Sequence, residues 1–523
     1  MTLRERAFSL WQATESRLDR AFGAGANPLR RLGAIAFLLF WAAAASGIYL
    51  YIFLDTSAAG AWRSVEAVSR EQWPIGSVIR GLHRYASDAL VVVMFAHLLR
   101  EYLAGHARGF RWFSWISGVP LIVLLYASGI GGYWLVWDQL ALFSATATAE
   151  WLDWIGMTSE PFARNFLSSE QVIDRLFTLF IFLHIGLPLA LLAGMWVHVQ
   201  RVSRPDSFPS RNLAAGTAIA LVVLAAAWPV QSLPQANPAQ VPATLALDWF
   251  YLFPHPVMYA TSPGALWAMV TGAAVLLLVL PWLGRKSRLP VAVVSAGDCN
   301  GCGRCFADCP YSAIVLVPHT SKHLAPRMAE VQPALCAGCG ICAGACPSST
   351  PFRSSDAFAS GIDMPGRKIA ALRGELERAL AALRAGPRVV VFGCDRAADV
   401  AAVRAADTAA LSLICAGMLP PSFVEYALRN GADGVLVTGC ADGACDYRFG
   451  QRWLEERFAG TREPHLRANV PRERLRVVWA GNGSLPELAN CVASFRASLT
   501  ERRPGDESIM RPKRALQASH AQP

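Results

Sequence analysis

At 523 residues the chain is too long for one domain, and 54% hydrophobic residues with a mean hydropathy of +0.32 exclude a protein that is water-soluble throughout. The net charge of +10 would suit a nucleic-acid binder. The basic residues, however, bracket apolar runs instead of forming a patch, which is the signature of membrane topology and excludes nucleic acid as the partner.

Residues 1–32 form an N-terminal segment in which 3–22 read as an amphipathic surface helix, with Leu3, Ala7, Leu10, Trp11, Leu18 and Phe22 on its apolar side. A cleaved leader is not expected, because the first apolar run starts only at 33 and is already of span length. Six runs are long enough to cross a membrane, at about 33–54, 79–103, 113–136, 173–199, 212–231 and 263–283. With the N-terminus inside, fifteen Arg or Lys fall at the cytoplasmic ends (Arg4 through Arg31, then Arg100, Arg108, Arg111, Arg201, Arg204, Arg211, Arg285, Lys286 and Arg288) and six at the outer ones. Positive-inside then places both ends of the membrane domain, and all that follows it, in the cytoplasm of a bacterial cell.

The second run holds His83 and His97, the fourth His184 and His198, each pair fourteen residues apart. Fourteen residues return to within about 40° of one helix face, about 21 Å further along. Helices running in the same direction would bring His83 to His184 at one depth and His97 to His198 at the other. Gly33 and Gly47 in the first run, and Gly118 and Gly132 in the third, keep the same interval. A residue without Cβ lets a flat ring approach, so the glycines read as clearance for two haems held between paired histidines. Two imidazoles per iron leave no open axial position, so such haems would carry electrons instead of binding oxygen. All thirteen cysteines lie at or beyond Cys299 and no C-x-x-C-H occurs, so the haems would be b-type. The alternative is that the histidines bond neighbouring helices and the glycines pack them; ionisable residues inside membrane helices nonetheless favour a functional role.

Arg80-Gly81-Leu82-His83-Arg84-Tyr85-Ala86-Ser87 and Phe95-Ala96-His97-Leu98-Leu99-Arg100-Glu101-Tyr102 resemble the haem-bearing part of cytochrome b from quinol-oxidising complexes, and Gly132-Tyr133-Trp134-Leu135-Val136-Trp137-Asp138-Gln139 resembles that family's segment after its third helix. The resemblance implies that Arg80, Arg84 and Arg100 pair with haem propionates; for Arg84 the alternative is an arginine snorkelling to the headgroups. An outer loop of about thirty-five residues with Trp151, Trp154 and Pro161 follows. Beyond the fifth run, Leu247-Asp248-Trp249-Phe250-Tyr251 is similar to the family's Pro-Glu-Trp-Tyr segment bordering the outer quinol site, with Leu247, Asp248 and Phe250 in place of its proline, glutamate and tyrosine. Asp248 is then a candidate acceptor of quinol protons and His255 a second one; the alternatives are a loop aspartate facing water and a histidine that only hydrogen-bonds. The resemblance covers about 30–290, giving a di-haem membrane domain at 33–285.

Next come Cys299-x-x-Cys302-x-x-Cys305-x-x-x-Cys309-Pro310 and Cys336-x-x-Cys339-x-x-Cys342-x-x-x-Cys346-Pro347. This doubled spacing is that of bacterial two-cluster ferredoxins, in which the fourth cysteine of each run crosses over. Cys299, Cys302, Cys305 and Cys346 would hold one [4Fe-4S] cluster, and Cys336, Cys339, Cys342 and Cys309 the other. Zinc is the alternative for paired C-x-x-C units, and disulfides are disfavoured in the cytoplasm. The ferredoxin region is placed at 291–350.

Residues 348–365 read as a linker, followed by a helix from about Arg367 to Arg384 with Ile369, Leu372, Leu376, Leu380 and Leu383 along one stripe. From 386 to 500 strands and helices alternate: Val389–Phe392, a helix to about Ala406, Leu411–Ile414, a helix from Pro421, Gly434–Thr438, a helix from Tyr447, Leu475–Trp479 and a helix from Leu485. Cys394, Cys415, Cys440 and Cys445 fall just past strand ends, where ligands gather in open sheets. Phe392-Gly393-Cys394, Cys415-Ala416-Gly417 and Gly431-Ala432-Asp433-Gly434 through Gly439-Cys440 resemble the delta subunit of methyl-viologen-reducing hydrogenase, which implies a [2Fe-2S] cluster on these four cysteines. Ala397 stands where that family commonly has another cysteine. A redox-active thiol set is the alternative. Cys491 is expected in the core of the last helix, and the tail 501–523 is expected to be disordered.

The fold class is therefore multi-domain: an all-α transmembrane bundle of about six spans, an α+β two-cluster ferredoxin fold and a small α/β parallel-sheet domain. The chain reads as the electron-transfer subunit of a quinone-linked oxidoreductase in the bacterial cytoplasmic membrane. Two haem b, two [4Fe-4S] clusters and one [2Fe-2S] cluster would join quinone to a soluble cytoplasmic enzyme. By resemblance that enzyme is a heterodisulfide reductase-like flavoprotein, a hydrogenase or a formate dehydrogenase; a homodimer is compatible with this. The other reading is a redox-sensing membrane anchor without quinone turnover.

Overall fold

A computed structural model describes residues 2–156, 159–168, 171–200, 205–240, 242–283, 290–320, 325–353, 359–384 and 386–500. The tail expected to be disordered lies outside the described residues. The chain divides into two compact units, Met1–Arg288 and Leu289–Pro523.

In the first unit, α1 (Leu3–Phe22) starts in a capping box: the Thr2 hydroxyl accepts from the Glu5 N–H and the Glu5 carboxylate from the Thr2 N–H. Leu3, Leu10 and Phe22 are exposed. Glu15, from the same helix, is buried and takes the Arg100 guanidinium at 2.8 Å and the Trp11 indole N–H at 2.9 Å. A surface helix is thereby tied to the bundle by one carboxylate.

Then follow α2 (Leu32–Phe53), α3 (Ala61–Arg70), α4 (Ile75–Leu103), α5 (Trp112–Trp134), α6 (Gln139–Asp153), α7 (Asp174–Val199), α8 (Arg211–Ala227), α9 (Pro254–Ala260) and α10 (Pro263–Val279). All six predicted runs are helical, but among the described residues only the stretches 32–53, 109–134, 174–199 and 263–282 are both long and apolar enough, by length and composition, to cross a membrane. Helix α4 has the length, with 29 residues, and falls short in apolarity because it carries Arg80, Arg84, Asp88, Arg100 and Glu101. Helix α8 falls short in length: its 17 residues reach about 25 Å. It stops because Pro229 pushes Trp228 out of the helical region, to φ −127° and ψ 78°.

Helix α2 packs on α4, α5 on α7, and α8 on α4. One core joins them through Ile35, Leu39, Leu90, Val91, Leu125 and Leu191. The long loop between α5 and α7 is half helix, since α6 fills its first part, and Trp137, Phe166, Phe177 and Phe180 pack together there.

In the second unit β1 (Val293–Val294) pairs antiparallel with β4 (Ile362–Asp363), and β2 (Ile314–Pro318) with β3 (Arg327–Val331). Short helices α11 (Arg304–Asp308) and α12 (Ile341–Ala345) each follow a cysteine loop. Helix α13 (Ile369–Ala382) precedes β5 (Val389–Cys394), β6 (Thr408–Leu413), α14 (Ser422–Arg429), β7 (Gly434–Gly439), α15 (Gly450–Ala459), β8 (Leu475–Trp479) and α16 (Leu485–Thr500). The last four strands form a parallel sheet in the order β6-β5-β7-β8.

Three expectations change here. The segment read as a linker contains β4, and Asp363 caps α13 by accepting from the Ile369 N–H at 3.0 Å, so the helix begins two residues later than expected. The helix expected before Ala406 is one 3-10 turn, Val400–Val403; Asp399 caps it, and Arg404 reaches the Ala410 carbonyl at 2.9 Å, turning the chain straight into β6. Cys491 is half-buried, not core.

The cysteine-rich segment and the sheet share one core, in which Ala292, Ile314, Ile362 and Met364 meet Leu372, Leu376, Phe392, Leu411, Met418 and Val435. Leu376 is 0% exposed. Leu376→Ala should therefore cost about 2–5 kcal/mol and lower the temperature at which iron–sulfur absorbance bleaches; a truly separate cysteine-rich domain would keep its bleaching temperature.

Candidate functional site

The four histidines fall into two pairs at two depths. His83 and His184 face each other with ring centroids 6.2 Å apart at 72°. Metal–imidazole bonds are about 2 Å and a ring centre lies roughly 1 Å behind its nitrogen, so rings on opposite sides of one ion stand roughly 6 Å apart. The pair therefore fits one iron between its nitrogens. His198 lies within electrostatic reach of His97 at the other depth.

Each imidazole sits against one of the four glycines. A Cβ at Gly47 would lie 2.9 Å from His83 Cε1, at Gly132 2.8 Å from His184 Cε1, at Gly118 3.3 Å from His198 Cε1 and at Gly33 3.7 Å from His97 Cε1. The clearance expected for haem edges is thus taken up, in these contacts, by the histidine rings. Three of the rings are also anchored through Nδ1: His83 on the Ala43 carbonyl at 2.8 Å, His184 on the Ser128 carbonyl at 3.0 Å and His198 on the Ser117 hydroxyl at 3.0 Å. A bound Nδ1 turns Nε2 towards the ligand and sets the tautomer. These anchors escaped the sequence reading, although Ala43 and Ser128 both lie four residues before a glycine.

The arginines expected to meet propionates all have carboxylates of the chain itself. Arg80 pairs with Glu66 at 3.0 Å and bonds Ser232 at 2.6 Å; Arg100 pairs with Glu15 at 2.8 Å and Glu101 at 3.2 Å. Arg84 bridges Asp88, at 2.9 Å, and Asp248. A guanidinium in a low-dielectric bundle needs a counter-charge, and here the protein supplies it.

Asp248 is buried, so the reading of a loop aspartate facing water does not hold. It accepts from Arg84, from the Tyr133 hydroxyl and from the Phe250 N–H at 2.6 Å. His255, in α9, is buried as well. Its Nε2 meets the Thr148 hydroxyl at 2.9 Å while Nδ1 has no partner among the described residues, and burial pushes its pKa down to about 4, so it is neutral.

In the second unit Cys309, Cys336, Cys339 and Cys342 line one small pocket, and Cys299, Cys302, Cys305 and Cys346 another. The crossed grouping is thus present in the fold. Among the described residues no three His, Cys, Asp or Glu donors gather around a single-ion point. The wrapping loops repeat a backbone conformation only glycine adopts readily, with φ +66° and +74° at Gly301 and Gly303, and +67° and +75° at Gly338 and Gly340. Backbone N–H groups point at sulfur, Ala313 to Cys309 Sγ at 3.3 Å and Ala329 to Cys299 Sγ at 3.5 Å. Burial pushes the Cys305 thiol up to about 12 and Cys339 and Cys342 upward too, so loading these thiols with iron must release protons.

Cys394, Cys415, Cys440 and Cys445 converge at the carboxyl ends of β5, β6 and β7. The Cys394 thiol donates to the Ile414 carbonyl at 3.5 Å, and the Cys415 and Cys440 sulfurs lie close enough to interact with it, which pulls the Cys394 thiol down and pushes Cys415 up. Ala397 closes the pocket beside Cys394 and Cys440. Gly450 packs on Cys415 Sγ, and a Cβ there would lie 3.2 Å from Cys445 Sγ.

A membrane bundle with two stacked histidine pairs, followed by three cysteine quartets, is the layout of an electron carrier. Comparison with known families agrees: residues 25–204 match cytochrome b/b6/petB, 298–350 the 4Fe-4S dicluster domain and 389–501 the delta subunit of methyl-viologen-reducing hydrogenase. The chain is a fusion of these three regions, an integral membrane protein that carries haem b and iron–sulfur clusters. A menaquinol:cytochrome c reductase cytochrome b subunit from Geobacillus thermodenitrificans is 28% identical over 178 residues, covering 33% of this chain and 77% of the relative. Among solved structures, a chain of a hyperthermophilic respiratory Complex III is similar at 20% identity and a TM-score of 0.38, over 49% of this chain and 75% of that one. The cytochrome b match ends at 204, so Asp248 and His255 lie beyond it, where the resemblance had been expected to continue.

Gly47→Val should push the His83 ring off its carbonyl and lower the haem content of the purified protein, measured as pyridine haemochrome per chain. Gly186→Ala, at a helical glycine with nothing within 4 Å of an added Cβ, should leave that content unchanged.

Proposed function

We propose that the protein is a membrane-bound electron-transfer subunit linking the quinone pool to a soluble redox enzyme. The observation that carries this reading is the presence in one chain of stacked histidine pairs inside a bundle and cysteine quartets outside it. His83 with His184, and His97 with His198, would each hold a haem b. Cys299, Cys302, Cys305 and Cys346 would hold one [4Fe-4S] cluster, Cys309, Cys336, Cys339 and Cys342 the second, and Cys394, Cys415, Cys440 and Cys445 a [2Fe-2S] cluster. When bound, these groups exchange single electrons. The chain's residues orient them: the carbonyls of Ala43 and Ser128 fix two imidazoles, and Arg80, Arg84 and Arg100, already paired, set the charge around them.

Asp248 and His255 would handle quinone protons. The Asp248 carboxylate is held by Arg84 and Tyr133, a network through which a proton taken at Oδ2 can be exchanged with the phenol. Six spans, with both termini and the iron–sulfur regions in the bacterial cytoplasm, follow from the distribution of positive charge. The partner would be a heterodisulfide reductase-like flavoprotein, a hydrogenase or a formate dehydrogenase. Electrons moving from outer quinol to inner clusters would be electrogenic, at about 2.3 kcal/mol per charge per 100 mV.

The full complement of donors on Asp248 favours a second reading, a redox-sensing anchor without quinone turnover, because the carboxylate oxygens are already taken by Arg84, Tyr133 and the Phe250 N–H of the chain itself. Quinol added to the purified protein decides between them. Turnover predicts haem reduction that slows by about a hundredfold in Asp248→Asn; haems that ignore quinol yet equilibrate with the clusters would establish the sensor.

A further inference from the structure

Two of the cysteine quartets are pressed together by side chains that belong to neither. Helix α12, which is preceded by Gly340 and contains Cys342, lies on the turn Ala416–Met418 that follows Cys415. Four glycines make that approach close. A Cβ at Gly340 would stand 2.8 Å from Met418 Sδ, at Gly344 2.9 Å from Arg457 Nη1, and at Gly417 2.7 Å from the Gly450 Cα; Gly450 in turn lies on the sulfurs of Cys415 and Cys445.

The second observation is a charge placed at this junction. Arg457, from α15, has a side chain with 0% exposure. It donates through Nη2 to Asp308 Oδ2 at 2.5 Å and through Nη1 to the Gly417 carbonyl at 2.8 Å. Asp308 immediately precedes Cys309 and Gly417 is two residues beyond Cys415, so one guanidinium touches the backbone or side chain next to a ligand of each quartet. Asp308 is shared with Arg462, at 2.5 Å, and its carbonyl accepts from the Trp453 indole at 3.1 Å. The Arg457 Nε–H, also buried, has no acceptor among the described residues. A buried ion pair is weak ground for stability, since apolar groups of the same volume often serve as well. What an apolar group would not supply is a cation between two cages of thiolate.

The geometry points to Arg457 as a positioning residue that clamps the centre of Cys309, Cys336, Cys339 and Cys342 against the centre of Cys394, Cys415, Cys440 and Cys445, making them a directly coupled pair. The Cys299, Cys302, Cys305 and Cys346 centre, where Cys302 and Phe306 are exposed, is then the open end of the relay. The step is an exchange of one electron: the reduced centre loses it, the oxidised centre gains it, and no bond or proton is involved. This inference rests on the assignment of iron–sulfur centres made above.

The test is electron paramagnetic resonance of the full-length protein reduced with dithionite, with iron and sulfide counted in the same sample. The expected result is mutual splitting of the signals of the two centres. In Arg457→Met the splitting should weaken and the centre beside Cys309 should become harder to reduce, while Arg457→Lys should keep most of the potential. Wild-type protein with all centres filled and no magnetic interaction would overturn the proposal alone, as would an Arg457→Met protein with unchanged splitting and potential. If that variant loses its iron, the wild-type splitting decides the matter. Wild-type protein without iron at the C-terminal quartet would overturn the assignment beneath it.

Discussion

The membrane half of the molecule depends on hydrogen bonds between imidazole Nδ1 atoms and main-chain carbonyls of neighbouring helices. In a helix the carbonyl of residue i−4 lies beneath residue i. Ala43 lies beneath Gly47 and Ser128 beneath Gly132, and the missing Cβ opens each carbonyl to a ring from the next helix. The glycine thus does two things at once: it admits the ring, and it exposes the acceptor that orients it. Everything further out, including the pairing of α2 with α4 and of α5 with α7, brings these four groups into register.

Charge follows the same logic. Arg80, Arg84 and Arg100 would be costly in a low-dielectric bundle, and each has a carboxylate from a different stretch: Glu66 of α3, Asp248 of the segment before α9, and Glu15 of α1. Three peripheral pieces are held on the bundle by these ion pairs. Removing one partner would strand a buried charge, which is far worse than removing both.

Much of this arrangement was legible in the chain. The fourteen-residue interval, read at 100° per residue, pairs His83 with His184 provided the two helices run in the same direction, and the doubled cysteine spacing already implied crossed quartets. What was not legible was non-local. No pattern around Asp308 announces that Arg457 lies against it, 149 residues later, and no periodicity marks Glu15 as the counter-ion of Arg100. The stretch 348–365 looked like a linker because two-residue strands leave no alternation to read, yet Ile362 is buried in the shared core. Two of the six runs depart from the simplest span pattern for local reasons: α8 meets Pro229 early, and charge within α4 lowers the apolarity of a helix whose length suffices.

The two ferredoxin-like quartets repeat one backbone design but not one environment. Cys339 and Cys342 are buried, whereas Cys302 is open to solvent, and solvent access is one of the factors that govern an iron–sulfur centre. Molecular oxygen would meet one end of the chain first. Damage under air should begin at the Cys302 loop and spare the interior pair, so that the protein loses its outlet before it loses its wire.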